Sequence, residues 1–168
     1  TPMGEGVPDL SYIESAAEMV APHVTAGSTV ILESTTYPGT TEELVAPILE
    51  AGSGLRAGAD FHLGYSPERI DPGNPTWRLE TTPKVVSGVD EASLAAVKGF
   101  FDRLVDTTVP VSGTREAELT KLLEDPAIQL IVTSGINADR APLGLQAMRA
   151  GKDFMTDKPG VTTLVTLR

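Results

Sequence analysis

Cysteine is missing from all 168 residues. Disulfides, thiolate metal sites and cysteine nucleophiles are thereby excluded, and a cytoplasmic setting fits. Histidine is scarce: His23 and His62 are the whole supply, so a histidine-based metal site is not expected. No apolar run approaches the roughly 20 residues that span a bilayer, and the start carries no secretory signal. Positive charge is outnumbered. A net charge of −10 argues against nucleic acid or an anionic membrane as the main partner. A local anion site stays open, because backbone N–H groups bind phosphate without net positive charge. Thr1 is not an initiator, and the chain reads as a fragment or a trimmed piece. What is present suits a soluble globular protein: 40% hydrophobic and 21% charged, enough for one domain with a real core.

Along the chain, helix and strand patterns alternate. Asp9–His23 reads as a helix, with capping-box spacing at Ser11 and Glu14 and an apolar face of Tyr12, Ile13, Ala16, Met19 and Val20. STVILE (28–33) has the continuous apolar centre of a buried strand. The hydroxyl-rich turn STTYPGTT (34–41) leads to a second capping box, Thr40 and Glu43, and a helix to about Ala51. Strands are expected at 61–65, 83–89, 107–111, 128–133 and 152–156. Helices are expected at 90–105, at 114–124 and from Asn137 or Asp139 to Gly151. Such alternation predicts an α/β protein, a partial Rossmann-like doubly wound fold whose mostly parallel sheet has helices on both faces. Ile31, Leu32, Ile131 and Val132 are expected in central strands of one sheet.

Four places carry candidate chemistry. YSPERIDPGNP (65–75) follows a strand, and its three prolines bar helix and ladder alike. It reads either as a solvated turn or as a strand-end loop presenting Glu68. STTYPGTT leaves a strand and enters a helix, so Ser34, Thr35 and Thr36 can face a cofactor, or Thr40 can simply cap. Lys121 falls roughly opposite Leu119, Leu122 and Leu123, which suits a solvated side chain unless that polar side lines a cleft. Lys158, in TDKPG, is either a charged turn or a proton-delivering lysine. Gly52-Ser53-Gly54 with Gly58 is no dinucleotide fingerprint, since it follows a helix and precedes a strand.

TPMGEG with PDLSYIESAA, then LESTTYPGTTEELV, YSPERIDPGNP and AELTKLLE, in that order over 1–124, resemble the UDP-glucose/GDP-mannose dehydrogenase family. The branch they are most similar to oxidises UDP-N-acetylhexosamines. The resemblance implies a nucleotide-sugar substrate oxidised twice at C6, NAD as cofactor, and homo-oligomeric full-length relatives. It implies cofactor contacts for Thr1, Pro2, Ser34, Thr35 and Thr36. Glu68 would be the acid/base and Lys121 the partner of the developing oxyanion, with Arg69, Ile70 and Asp71 also touching substrate. Proton removal and oxyanion stabilisation are what alcohol oxidation requires.

The sequence also departs from that family. Its glycine fingerprint, catalytic cysteine and nucleotide-sugar domain have no counterpart here, and Glu124-Asp125-Pro126 stops a helix the family continues. From about Leu122, the text LLEDPAIQLIVTSGINADRAPLGLQAMRAGKDFMTDKPGVTTL resembles the glucose–fructose oxidoreductase/inositol dehydrogenase-like family, where Lys158 matches the catalytic lysine. The expected organisation is therefore 1–124 from a nucleotide-sugar dehydrogenase NAD-binding domain and 125–168 as a βαβ segment of a second oxidoreductase. Three readings stay open: a nucleotide-sugar 6-dehydrogenase fragment, an inositol dehydrogenase-type oxidoreductase, and a non-catalytic folded fragment or chimera. For the chain alone, no NAD reduction with UDP-N-acetylglucosamine or UDP-N-acetylmannosamine is expected.

Overall fold

The computed structural model describes residues 3–4, 7–34, 36–68, 80–124, 130–133 and 144–156. A small antiparallel hairpin, β1 (Met3–Gly4) and β2 (Val7–Pro8), opens the chain. There follow α1 (Ser11–Val20), β3 (Thr29–Leu32), α2 (Ala46–Ser53), β4 (His62–Tyr65), β5 (Lys84–Gly88), α3 (Glu91–Phe101), β6 (Thr108–Pro110) and α4 (Thr114–Glu124). β7 (Leu130–Thr133) and β8 (Asp153–Thr156) close the described chain. Two compact units divide between Lys121 and Leu122.

In the first unit the four-stranded order is β3-β4-β5-β6. β3 runs parallel to β4 and β5 parallel to β6, while β4 and β5 are antiparallel, with Gly64 opposite Gly88 and Tyr65 opposite Ser87. The sheet is thus mostly parallel, and helices cover both faces. Alternation along each strand decides the partners. Val30, Leu32 and Leu63 join α1 and α2 in one cluster with Ile13, Ala17, Val45, Leu49 and Phe61. Ile31 and Val86 face α3 through Val97 and Phe101. Fully burying one such side chain contributes about 1.5–3 kcal/mol.

In the second unit β7 pairs in parallel with β8, register Leu130–Asp153 to Thr133–Thr156, and residues 144–149 between them are helical. Gly151 ends that helix with φ +74°, a left-handed conformation that costs glycine little. The expectation that Ile31, Leu32, Ile131 and Val132 share one sheet fails. Among the described residues β3 is an outer strand of its sheet, and β7 belongs to a separate two-stranded one.

Local signals fail in two further places. Neither capping box forms. α1 begins with Asp9 accepting from Ser11 N–H at 3.0 Å, and no side chain of Leu10, its N-cap, can cap. Thr40 donates its hydroxyl to the Tyr37 carbonyl at 2.7 Å, which leaves Gly39 as the N-cap. The turn at Thr40–Val45 is π-helical and becomes α-helical at Ala46, where Pro47 lacks the N–H that would continue the wider pattern. On α1, the buried positions are Ile13 and Ala17, four apart, whereas Tyr12, Met19 and Val20 are exposed.

Candidate active site

The carboxyl ends of β3 and β4 lie side by side, and their following loops define the site. Glu33 and Ser34 leave β3, and Ser66, Pro67 and Glu68 leave β4. The Tyr65 hydroxyl donates to the Ser34 carbonyl at 2.7 Å and ties the first loop to the second strand. Burial raises the Tyr65 phenol well above its ordinary range; the adjacent Thr36 hydroxyl moderates this and the Glu118 charge adds to it. Thr36 itself is buried, and among the described residues its hydroxyl has no hydrogen-bond partner of good geometry. A buried hydroxyl left in that state is costly unless something meets it.

β5 enters at the same edge because it runs antiparallel to β4. Its first residue, Lys84, is buried, and the ammonium reaches Glu33 by a short contact and Glu68 at 3.6 Å. Both carboxylates remain partly open to solvent. Glu118 of α4 is fully buried and meets the turn that follows Thr36. Its Oε2 accepts from Gly39 N–H at 2.6 Å, and its Oε1 accepts from the Thr41 N–H and hydroxyl at 2.8 and 2.6 Å. Burial raises the Glu118 carboxyl above its usual value, against the pull of those donors, and the Glu42 charge raises it further. Outside this knot, Thr114 donates to Glu42 at 2.6 Å and Arg115 to Glu43 at 2.5 Å, so α4 is fastened along its first two turns.

Of the residues singled out from sequence, the structure brings Ser34, Thr36 and Glu68 to one edge. Lys121 lies in α4, one turn beyond Glu118, and its side chain is outside the described residues. Thr1, Pro2, Thr35, Arg69, Ile70, Asp71 and Lys158 also lie outside them. Lys84 and Glu118 escaped the sequence reading. The available signals were a lysine at the start of an otherwise apolar strand and a glutamate flanked by Ala117 and Leu119. Among the described residues no cluster of His, Asp and Glu suits a metal, and no helix is long and apolar enough to cross a membrane.

A mostly parallel sheet with helices on both faces, and with loops gathered at the carboxyl ends of β3 and β4, defines a Rossmann-type α/β domain. The chain belongs to the UDP-glucose/GDP-mannose dehydrogenase family, whose NAD binding domain matches residues 1–105. It is 38% identical to protein CapL of Staphylococcus aureus over 163 residues, covering 92% of this chain and 38% of that protein. It is 37% identical to UDP-N-acetyl-D-glucosamine 6-dehydrogenase of Pseudomonas aeruginosa, covering 92% of this chain and 39% of that enzyme. The solved UDP-D-ManNAc dehydrogenase of Pyrococcus horikoshii superposes with a TM-score of 0.69 at 37% identity, over 74% of this chain and 29% of the other. The chain therefore spans about two fifths of the curated relatives' length. A 92% coverage exceeds the residues before Asp125, so those two alignments also take in part of the C-terminal stretch.

NAD is the cofactor of the matched domain, and the donor set present fits it. Thr36 offers a buried hydroxyl with an open valence, and Ser34 stands beside it at the strand end.

Proposed function

We propose that this chain is the part of a UDP-N-acetylhexosamine 6-dehydrogenase that carries the cofactor loop and the acid/base glutamate. One observation carries the reading: Glu68 and the Ser34–Thr36 loop, 34 or fewer positions apart in sequence, are brought to one sheet edge, with Lys84 contacting Glu68 and the neighbour of Ser34. When bound, NAD supplies the hydride acceptor. Glu68 takes the proton of the C6 hydroxyl as the C6 hydride leaves, which turns the alcohol into an aldehyde. Lys121 is assigned to stabilise the oxygen on which charge develops, and Arg69, Ile70 and Asp71 are assigned to the nucleotide sugar. Thr1, Pro2, Ser34, Thr35 and Thr36 hold the cofactor. A second NAD would accept the second hydride that takes the aldehyde to the carboxylate. The same reading puts the protein in the cytoplasm, as a subunit of a homo-oligomer.

The test uses the full-length protein that contains these residues, with NAD and either UDP-N-acetylglucosamine or UDP-N-acetylmannosamine. NADH formation is expected with at least one, and Glu68→Gln lowers kcat by about 100-fold or more. A Glu68→Gln variant with undiminished kcat overturns the assignment of the acid/base.

A further inference from the structure

We propose that Lys84 is a positioning residue: its buried ammonium holds the Glu68 carboxylate at the cofactor loop and fixes the direction from which the acid/base meets its substrate. This rests on the reading of Glu68 as acid/base.

A lysine at the first residue of a strand ordinarily keeps its head group in water. The Lys84 side chain is only 3% exposed. Its ammonium stands 5.3 Å from the centroid of the Phe101 ring, on the α3 side of the sheet. Removing an ammonium from water is costly unless charge partners and hydrogen bonds compensate. Here the compensation comes from two carboxylates on two different loops, Glu33 after β3 and Glu68 after β4. Without a cation between them, two acids at one edge repel and turn toward solvent.

The backbone register makes the pairing specific. Gly64 faces Gly88 and Tyr65 faces Ser87. Continuing that antiparallel register three residues brings Glu68 opposite Lys84. Two buried hydroxyls support the continuation: Ser87 donates to the Tyr65 carbonyl at 2.9 Å, and Ser66 to the Val85 carbonyl at 2.8 Å. Opposite charges placed directly across a ladder attract one another. Glu33 is adjacent in sequence to Ser34, so the cation that holds Glu68 also holds the root of the cofactor loop. Lys84 acts through Glu68 and is not itself assigned a contact with substrate.

The experiment is a double-mutant cycle in the full-length protein, assayed with NAD and UDP-N-acetylhexosamine. Lys84→Met is expected to lower kcat by about 10- to 100-fold, as a misdirected catalytic group does, with KM nearly unchanged. In a Glu68→Gln background the same substitution is expected to cause no further loss, because its effect passes through Glu68. A folded Lys84→Met with wild-type kcat, while Glu68→Gln is inactive, rejects Lys84 and leaves the acid/base reading standing. Additive losses in the cycle also overturn the proposal. Full activity in Glu68→Gln sinks both. Where Lys84→Met does not fold, Lys84→Arg carries the test. The guanidinium keeps the charge but not the compact head, so a folded protein with lowered kcat and unchanged KM supports the proposal, and unchanged kcat overturns it.

Discussion

Glu118 Oε1 accepts both the backbone N–H and the hydroxyl of Thr41, across 77 positions of sequence, while Oε2 accepts the Gly39 N–H. One carboxylate therefore closes the turn that follows Thr36 and fastens it to the helix that carries Lys121.

Glu118→Ala leaves two buried backbone donors without their acceptor, which is expected to cost about 2–4 kcal/mol. Urea denaturation at neutral pH measures it. A loss below about 0.5 kcal/mol would show that water replaces the carboxylate easily.

The Glu118 carboxyl is raised by burial above its ordinary value of 4.5. The folded state then binds the proton before the unfolded state does. Its contribution to stability falls as pH rises through the folded value, and grows as pH drops toward 4.5. Compared with Glu118→Gln, which does not titrate, the wild type should gain stability as pH is lowered from neutral toward 4.5. The opposite slope in paired denaturation curves would mean that the hydrogen bonds outweigh burial.

Asp90 caps α3 by accepting from Ser93 N–H at 2.7 Å, and its hydrogen bonds with Ser93 hold its carboxyl below the usual range. Asp90→Ala is expected to cost about 1 kcal/mol. A depressed carboxyl contributes above its unfolded value of 3.8 and loses that contribution as pH falls through the folded value. Thermal melts of the two proteins should converge in acid.

Gly88 lies so close to α3 that a Cβ would sit 2.2 Å from Leu94 N and 2.6 Å from the Ser93 carbonyl carbon. Gly88→Ala must push α3 off the sheet, at about 3 kcal/mol or more. Gly99, inside α3 with nothing within 4 Å, provides the control. Gly99→Ala should stabilise by about 0.5–1 kcal/mol. Equal effects of the two in thermal melts would contradict the close packing at Gly88.

Thr36→Val removes a buried hydroxyl that has no well-formed partner among the described residues while keeping its shape. The melting temperature should hold or rise, whereas NAD affinity should fall about fivefold, the equivalent of one ordinary hydrogen bond. Calorimetric titration of the full-length protein with NAD measures it, and an unchanged Kd removes Thr36 from the cofactor contacts.

Much of the fold was legible in the sequence because it is written locally. The apolar centres of 28–33 and 83–89 and the boundaries at Thr114 and Glu124 need no distant partner to be read, and β3, β5 and α4 fall there. Capping was misread because a hydroxyl has competing acceptors, and Thr40 chose Tyr37. At the candidate site, the position of Glu68 just after a strand was readable from the loop around it. Lys84 and Glu118 were not, since their roles arise from Glu33 and Thr41, which lie 51 and 77 positions away. A charge whose partner is that remote looks like surface until the strands are paired.

The antiparallel ladder between β4 and β5 has a consequence for how the segment can vary. Glu68 and Lys84 face one another because of the pairing before and after them, at Gly64 with Gly88 and Tyr65 with Ser87. The number of residues joining them does not enter that geometry. A change in the length of the link between Glu68 and Lys84 is therefore expected to leave the carboxylate and its cation paired, because their meeting is set by the ladder alone.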